Sequence, residues 1–148
     1  MLLETLQSLF ARDLNRLRNE IALYKKEANL WKIEGSIANS AGNLCLHLVG
    51  NLNTYIGKEI GKTGYIRNRE LEFSLKNVPQ KELLSKIDNT TEVVDNSLNN
   101  LDESVLVNEF PILVFDEKTS TQYMLVHLAT HLTYHLGQIN YHRRLIDR

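Results

Sequence analysis

Four of the five histidines in this 148-residue chain stand at positions 127, 131, 135 and 142, and the fifth is His47. On a helix turning ~100° per residue with His131 at zero, His135 falls near about +40° and His127 near about −40°. Met124, Leu125, Leu128, Leu132 and Ile139 occupy the arc from roughly +20° to +120°. The pair His131 and His135 therefore straddles the edge of a buried face. Imidazoles four residues apart project from successive turns toward one point, and can give two nitrogen ligands to one ion at ~2.0–2.1 Å. His127 lies toward the polar margin. His142 shares the azimuth of the pair but sits roughly 10 Å further along the axis, out of reach of the same ion. A stable site needs a third ligand from another element, and His47 is the remaining candidate. It stands beside Leu44, Leu48 and Tyr55, near Asn43, Asn51 and Thr54, small polar groups able to orient an imidazole.

Other metal chemistries fit the spacing less well. A di-iron carboxylate bundle uses Glu-x-x-His pairs, but Leu44, Met124, Leu128 and Leu132 stand three residues before His47, His127, His131 and His135. The His-Glu-x-x-His protease pattern fails because Leu132 follows His131. A closed structural zinc site often uses several cysteines; Cys45 is alone and points away from His47 by ~160° on the helix. The pattern favours three imidazoles with an open coordination position. A single histidine on a semi-apolar face is more often a hydrogen-bonded structural residue than a ligand, and i,i+4 pairs also occur on solvated faces. Placement of all three on two buried faces is what favours a metal.

Such a site needs helices to hold it, and the apolar pattern supplies four. The first runs from Leu2 to about Lys26, with Leu3, Leu6, Leu9, Phe10, Leu14, Leu17, Ile21 and Tyr24 at three- and four-residue spacing. The second begins at an Asn39 or Ser40 cap and ends near Ile60, carrying Leu44, Leu48, Leu52 and Tyr55, with Gly57, Gly61 and Gly64 as terminators. Residues 61–79 form a connection long enough to cross over the bundle. The third helix spans Gln80 to Asn99, with Leu83, Leu84, Ile87, Val94 and Leu98 as its apolar set. Between residues 101 and 117, β-branched and aromatic residues around Pro111 predict extended chain with one short strand pair. Thr119 or Ser120 caps the fourth helix, which runs on to Asp147 with Gly137 as its one interruption. The expected class is all-α, a four-helix bundle in one domain over residues 1–148.

Seventeen Lys and Arg against 18 Asp and Glu leave no basic field for nucleic acid. No run approaches the ~18 apolar residues of a membrane span, and charged residues interrupt the N-terminal apolar pattern, unlike a secretory signal. One cysteine excludes an intramolecular disulfide. The expectation is a soluble, cytoplasmic protein without nucleic-acid or membrane partners.

The SIANSAGNLCLHLVGNL run into the second helix, the GYIRNRELEFS crossover and the HLTYHLGQI segment, with His131, His135, Gly137 and Gln138 in an HxxxHxGQ-like pattern, together resemble the DinB-like (YfiT-like) superfamily of metal-dependent four-helix-bundle enzymes. The resemblance spans nearly the whole chain. It implies an up-down-down-up bundle with a long crossover between helices two and three. It also implies a divalent metal, most often zinc or nickel, on His47, His131 and His135, with water in the open positions. Members with an assigned activity include S-transferases that use low-molecular-weight thiols, and homodimers are frequent among them.

A three-imidazole site leaves the ion its full charge, so it would act as a Lewis acid on a small-molecule substrate. Arg67 and Arg69 in the crossover could hold a substrate carboxylate, although arginines in connections are usually solvated. Tyr134 and Gln138 flank the histidine ridge at about −60° and −20°, placed either to orient a ligand or to cap the pocket. The functional classes in play are a metal-dependent transferase or hydrolase, a non-catalytic metal-binding or interaction protein, and a structural bundle whose histidines are satisfied internally. No general base lies within the motif, which keeps the second class open.

Overall fold

The three- and four-residue apolar period at the start of the chain folds as α1 (Leu2–Leu23), burying Leu3, Leu6, Phe10, Leu14, Leu17 and Ile21. In the computed structural model, which describes residues 1–148, four further helices follow and there are no strands: α2 (Ala41–Leu52), α3 (Arg69–Ser74), α4 (Gln80–Asn99) and α5 (Thr121–Ile146). α1 packs on α4 and α5, and α2 packs on the same two. The core lies between these four. No helix is long and apolar enough to cross a membrane.

α2 is the central element for the site. Its residues are apolar on most sides and all buried except Val49, the signature of a helix enclosed by neighbours rather than lying at a surface. The Ser40 hydroxyl caps it by accepting the Asn43 N–H at 3.2 Å. Past Leu52 the helical path continues over Asn53–Lys58 as a wider π-turn, with bonds such as Gly61 N–H to Ile56 O at 2.9 Å. Within it Thr54 Oγ1 donates to Gly50 O (2.7 Å) and Asn53 Nδ2 to Val49 O (2.8 Å), local bonds that compete with the regular ladder. The helical path thus ends close to the expected Ile60.

The crossover is not irregular throughout. Within residues 61–79, α3 forms behind an Asn68 cap, whose Oδ1 accepts the Leu71 N–H at 3.3 Å, and it lies against α2. The Asn43 side chain fixes it there, donating to Glu72 O (2.9 Å) and Leu75 O (2.8 Å). A six-residue helix has too few turns to show a period, so the sequence did not reveal it.

The short strand pair expected between residues 101 and 117 is absent. A 3-10 turn occupies Glu103–Val107, and pairing is limited to one antiparallel bridge between Glu109 and Ser120. Phe110 N–H to Thr119 O and Thr121 N–H to Asn108 O, both 2.8 Å, complete that contact. Pro111 brings no N–H with which to extend it. α5 then starts behind Ser120, whose hydroxyl accepts the Tyr123 N–H at 3.0 Å, and passes Gly137 without a break.

Candidate metal centre

The middle of α2 and two successive turns of α5 face each other across the core, bringing His47, His131 and His135 together. One potential ligand atom from each lies within 4.8 Å of the others. His47 Nε2 is 3.2 Å from His131 Nε2. Three nitrogens at ~2.0–2.1 Å from a tetrahedral ion are about 3.4 Å apart, so this edge already has ligand spacing. The rings meet edge to face, with centroids 5.1 Å apart for His47 and His131, 5.3 Å for His47 and His135, and 4.6 Å for His131 and His135. His47 is buried and the other two are half-buried, so the cluster opens on the α5 side.

The outer nitrogens determine which atoms face inward. His47 Nδ1 lies 3.0 Å from Glu72 Oε1, delivered by α3. Burial alone would raise the Glu72 carboxyl, but hydrogen bonds from His47 and Arg67 outweigh it and hold it below the usual carboxylate range. An ionised carboxylate only accepts, so Nδ1 carries the proton and His47 Nε2 presents its lone pair inward. Arg67 grips the same carboxylate with Nε to Oε2 at 2.8 Å and Nη2 to Oε1 at 3.0 Å. His135 Nδ1 likewise meets Gln138 Oε1 at 2.7 Å, again leaving Nε2 free. His131 Nδ1 is buried with no partner.

This proton inventory fits a cation. If His131 carries its proton on Nδ1, two bare lone pairs confront each other at 3.2 Å, an arrangement a cation between them resolves. Protonating His131 as well is disfavoured: burial, then repulsion from His135 and His47, lowers its pKa to about 4. His135 is lowered too, by burial first, with His47 adding to the effect and the Gln138 bond opposing it. His131 and His135 are thus held in the neutral form in which imidazole takes up a divalent metal.

Each residue singled out in the sequence has a definite place. His127 stays outside the triangle, stacked on His131 with centroids 6.1 Å apart and edge-on to Phe115 at 4.8 Å. His142 is locked elsewhere, its Nδ1 2.6 Å from the Tyr24 hydroxyl and its Nε2 2.7 Å from Lys32 O. Cys45 is fully buried, and burial pushes its thiol up to about 12, so it supplies no thiolate ligand. Arg67, which the sequence offered as a possible holder of a substrate carboxylate, pairs with Glu72 and lies over the Tyr55 ring at 5.7 Å. Arg69 sits over Phe73 at 5.4 Å, and Phe73 in turn packs on His47 with centroids 5.0 Å apart. Tyr134, largely exposed, packs its edge on His135 at 5.3 Å. Tyr134, His135 and Gln138 line a groove of about 450 Å³ whose other wall includes Ile37 and Leu44. Asn43 and Thr54, expected to orient His47, bond elsewhere; that role falls to Glu72.

A family described as a protein of unknown function, DUF1572, matches residues 2–148. The chain belongs to the DUF1572 family. No curated protein matches it. Membership of DUF1572 brings no activity with it, so the chemistry of this DUF1572 protein stands on the residues themselves. What they offer is a triangle of imidazole nitrogens, two of which have their outer N–H fixed by an acceptor, as metal-binding histidines commonly do. Sequence reasoning missed Glu72. It lies 25 residues from its histidine, on a helix with no periodic signature, and the nearest hint was a carboxylate set among Arg67 and Arg69.

Proposed function

We propose that His47, His131 and His135 bind one divalent metal ion, zinc or nickel, and that the protein is a metal-dependent enzyme of the DinB-like type. The observation that carries this reading is the convergence of three imidazoles with the outer nitrogens of His47 and His135 tied to Glu72 and Gln138. The four long helices would form the up-down-down-up bundle of that superfamily, as one domain. A divalent ion with three neutral ligands is a Lewis acid that acidifies a bound water or thiol toward neutral pH. The chain's own residues do the rest. Glu72 and Arg67 hold His47 in one tautomer and one orientation, and Gln138 does the same for His135. The groove beside His135 and Gln138 would receive the body of a small-molecule substrate, a low-molecular-weight thiol or its co-substrate, for S-transfer or hydrolysis. The nearest carboxylate, Glu72, is occupied by Arg67 and His47 and is not free as a general base. That observation favours, as a second reading, a metal-binding protein without catalysis.

Elemental analysis of purified protein tests the first step. About one divalent ion per chain is expected, lost in His131→Ala. Undiminished metal in that variant overturns the assignment. Thiol-transfer and hydrolase assays on the metal-loaded protein then separate the two readings, and inactivity across broad panels selects the second.

A further inference from the structure

Two buried side-chain polar atoms in the chain have no hydrogen-bond partner, His131 Nδ1 and Asn51 Oδ1. Buried polar groups without partners are costly and uncommon, so each one needs a physical reason. These two are complementary. With Nε2 turned to the ion, His131 Nδ1 carries a proton and needs an acceptor, and the Asn51 carboxamide oxygen is an acceptor without a donor.

They also lie on neighbouring turns of the two helices that face each other. α2 and α5 run in opposite directions: Leu44 near the start of α2 shares a groove with Tyr141 and Leu145 near the end of α5. Tyr55 beyond the end of α2 packs on Phe110, whose N–H bonds Thr119 just before α5 begins. His47 stands level with the space between His131 and His135, its ring centroid 5.1 and 5.3 Å from theirs, so moving one turn along α2 to Asn51 corresponds to moving back one turn along α5, to the level between His127 and His131. Residues four apart share a helix face, so Asn51 faces the same side as His47. Asn51 is as buried as His47, at 7% exposure.

Resting on the metal-site reading above, we propose that Asn51 is the positioning residue of His131, its carboxamide oxygen accepting the Nδ1 proton through one ordered water or after a small rotation of the side chain. The centre then has a complete set of outer partners: Glu72 for His47, Gln138 for His135 and Asn51 for His131. One charged partner and two neutral amides leave the site with a single compensating carboxylate, which keeps the ion electrophilic.

The test titrates zinc or nickel alone into metal-free wild type, Asn51→Leu and Asn51→Asp, in competition with a chromophoric chelator, while melting curves follow the fold. Loss of an outer partner weakens metal affinity by about 10–100-fold, the effect expected for Asn51→Leu. Its metal-free melting temperature should stay level or rise, because an unsatisfied amide gives way to an apolar group. Asn51→Asp keeps an acceptor oxygen and should restore affinity to at least the wild-type level. A merely structural Asn51 would lower melting temperature and leave affinity alone, and Asn51→Leu binding zinc as tightly as wild type overturns the inference while leaving the metal site intact. Wild type that binds neither ion overturns the metal reading itself, and this inference with it. Nitrogen-15 spectra of the zinc-loaded wild type give an answer independent of the variants' folding. A His131 protonated at Nδ1, with slowed proton exchange, is expected, and protonation at Nε2 refutes the proposal.

Discussion

Replacing Gly50 by alanine disturbs the centre without altering any of its proposed ligands or their partners. Gly50 lies one turn beyond His47 on buried α2, and the Glu72 side chain rests directly on it. An added Cβ would overlap Glu72 Oε2 and stand 2.6 Å from Cδ. Carbon atoms settle at ~3.5–4.0 Å, so the carboxylate must retreat by about 1 Å or more. The end of a glutamate is flexible, but three hydrogen bonds fix this one, two from Arg67 and one from His47. Bonds to charged groups contribute roughly 1.5–3 kcal/mol each, and a swing that keeps one Arg67 bond loses the other two, with water replacing part of them. A net loss on the order of 2–4 kcal/mol remains, against which alanine in a helix returns about 0.5–1 kcal/mol. The expected destabilisation is about 1–3 kcal/mol, a fall of about 3–10 °C in melting temperature. Zinc affinity should drop by about 10–100-fold as His47 loses its orienting carboxylate. Gly137→Ala is the control: a Cβ there meets nothing within 4 Å, so it should stabilise α5 by about 0.5–1 kcal/mol and leave zinc binding alone. Scanning calorimetry and chelator competition on both variants are the assays. Gly50→Ala with wild-type zinc affinity and an unchanged or higher melting temperature would refute the idea that Glu72 orients His47.

In the metal-free protein His131 should titrate at about pH 4 rather than at the ordinary histidine value of about 6.5. Between those values the unfolded chain binds the proton that the folded chain refuses, so stability rises with pH across the window and falls away as acid is added. Denaturant melts from pH 7 to 4 should show that slope in wild type and a shallower one in His131→Gln, and equal slopes would contradict it. Tyr24→Phe removes the hydroxyl that donates to His142 Nδ1 and leaves that nitrogen unpaired, for an expected loss of about 1–3 kcal/mol. Its zinc affinity should match wild type, and any large loss would mean that His142 belongs to the metal centre after all.

The long helices were legible because their burial is one-sided or periodic. α1 and α4 each bury one face against the core, and the leucine spacing shows it; α4 begins and ends where its pattern does, at Gln80 and Asn99. α2 was found for a different reason, a dense apolar run behind a serine cap. Its π-turn was not legible, because the Asn53 and Thr54 side-chain bonds that accompany it are choices of rotamer and not of residue type. The 101–120 segment misled because β-branched residues report that a chain packs on a pleated, half-buried surface, and here a 3-10 turn and a single bridge provide the packing.

The three histidines were legible for a similar reason: helix geometry fixes azimuth and rise, which singled out His131 and His135 on α5 and left His47 as the remaining partner from another helix. What fixes their chemistry was not. Helical angles say where an imidazole points but nothing about which nitrogen holds the proton, and that is decided by groups reached through folding. Glu72 arrives from the crossover, held to α2 by the bonds from Asn43 to Glu72 O and Leu75 O. Gly50 leaves the space into which its carboxylate fits. The crossover, which read as a mere connection, is therefore part of the centre: without α3 seated on α2, His47 could adopt either tautomer, and the inward lone pair would be a matter of chance. By the same logic Arg67 acts on the site without touching it, because it keeps Glu72 ionised and still. Both of its bonds go to the carboxylate that accepts from His47 Nδ1, so the guanidinium helps to set which nitrogen of this candidate ligand faces inward.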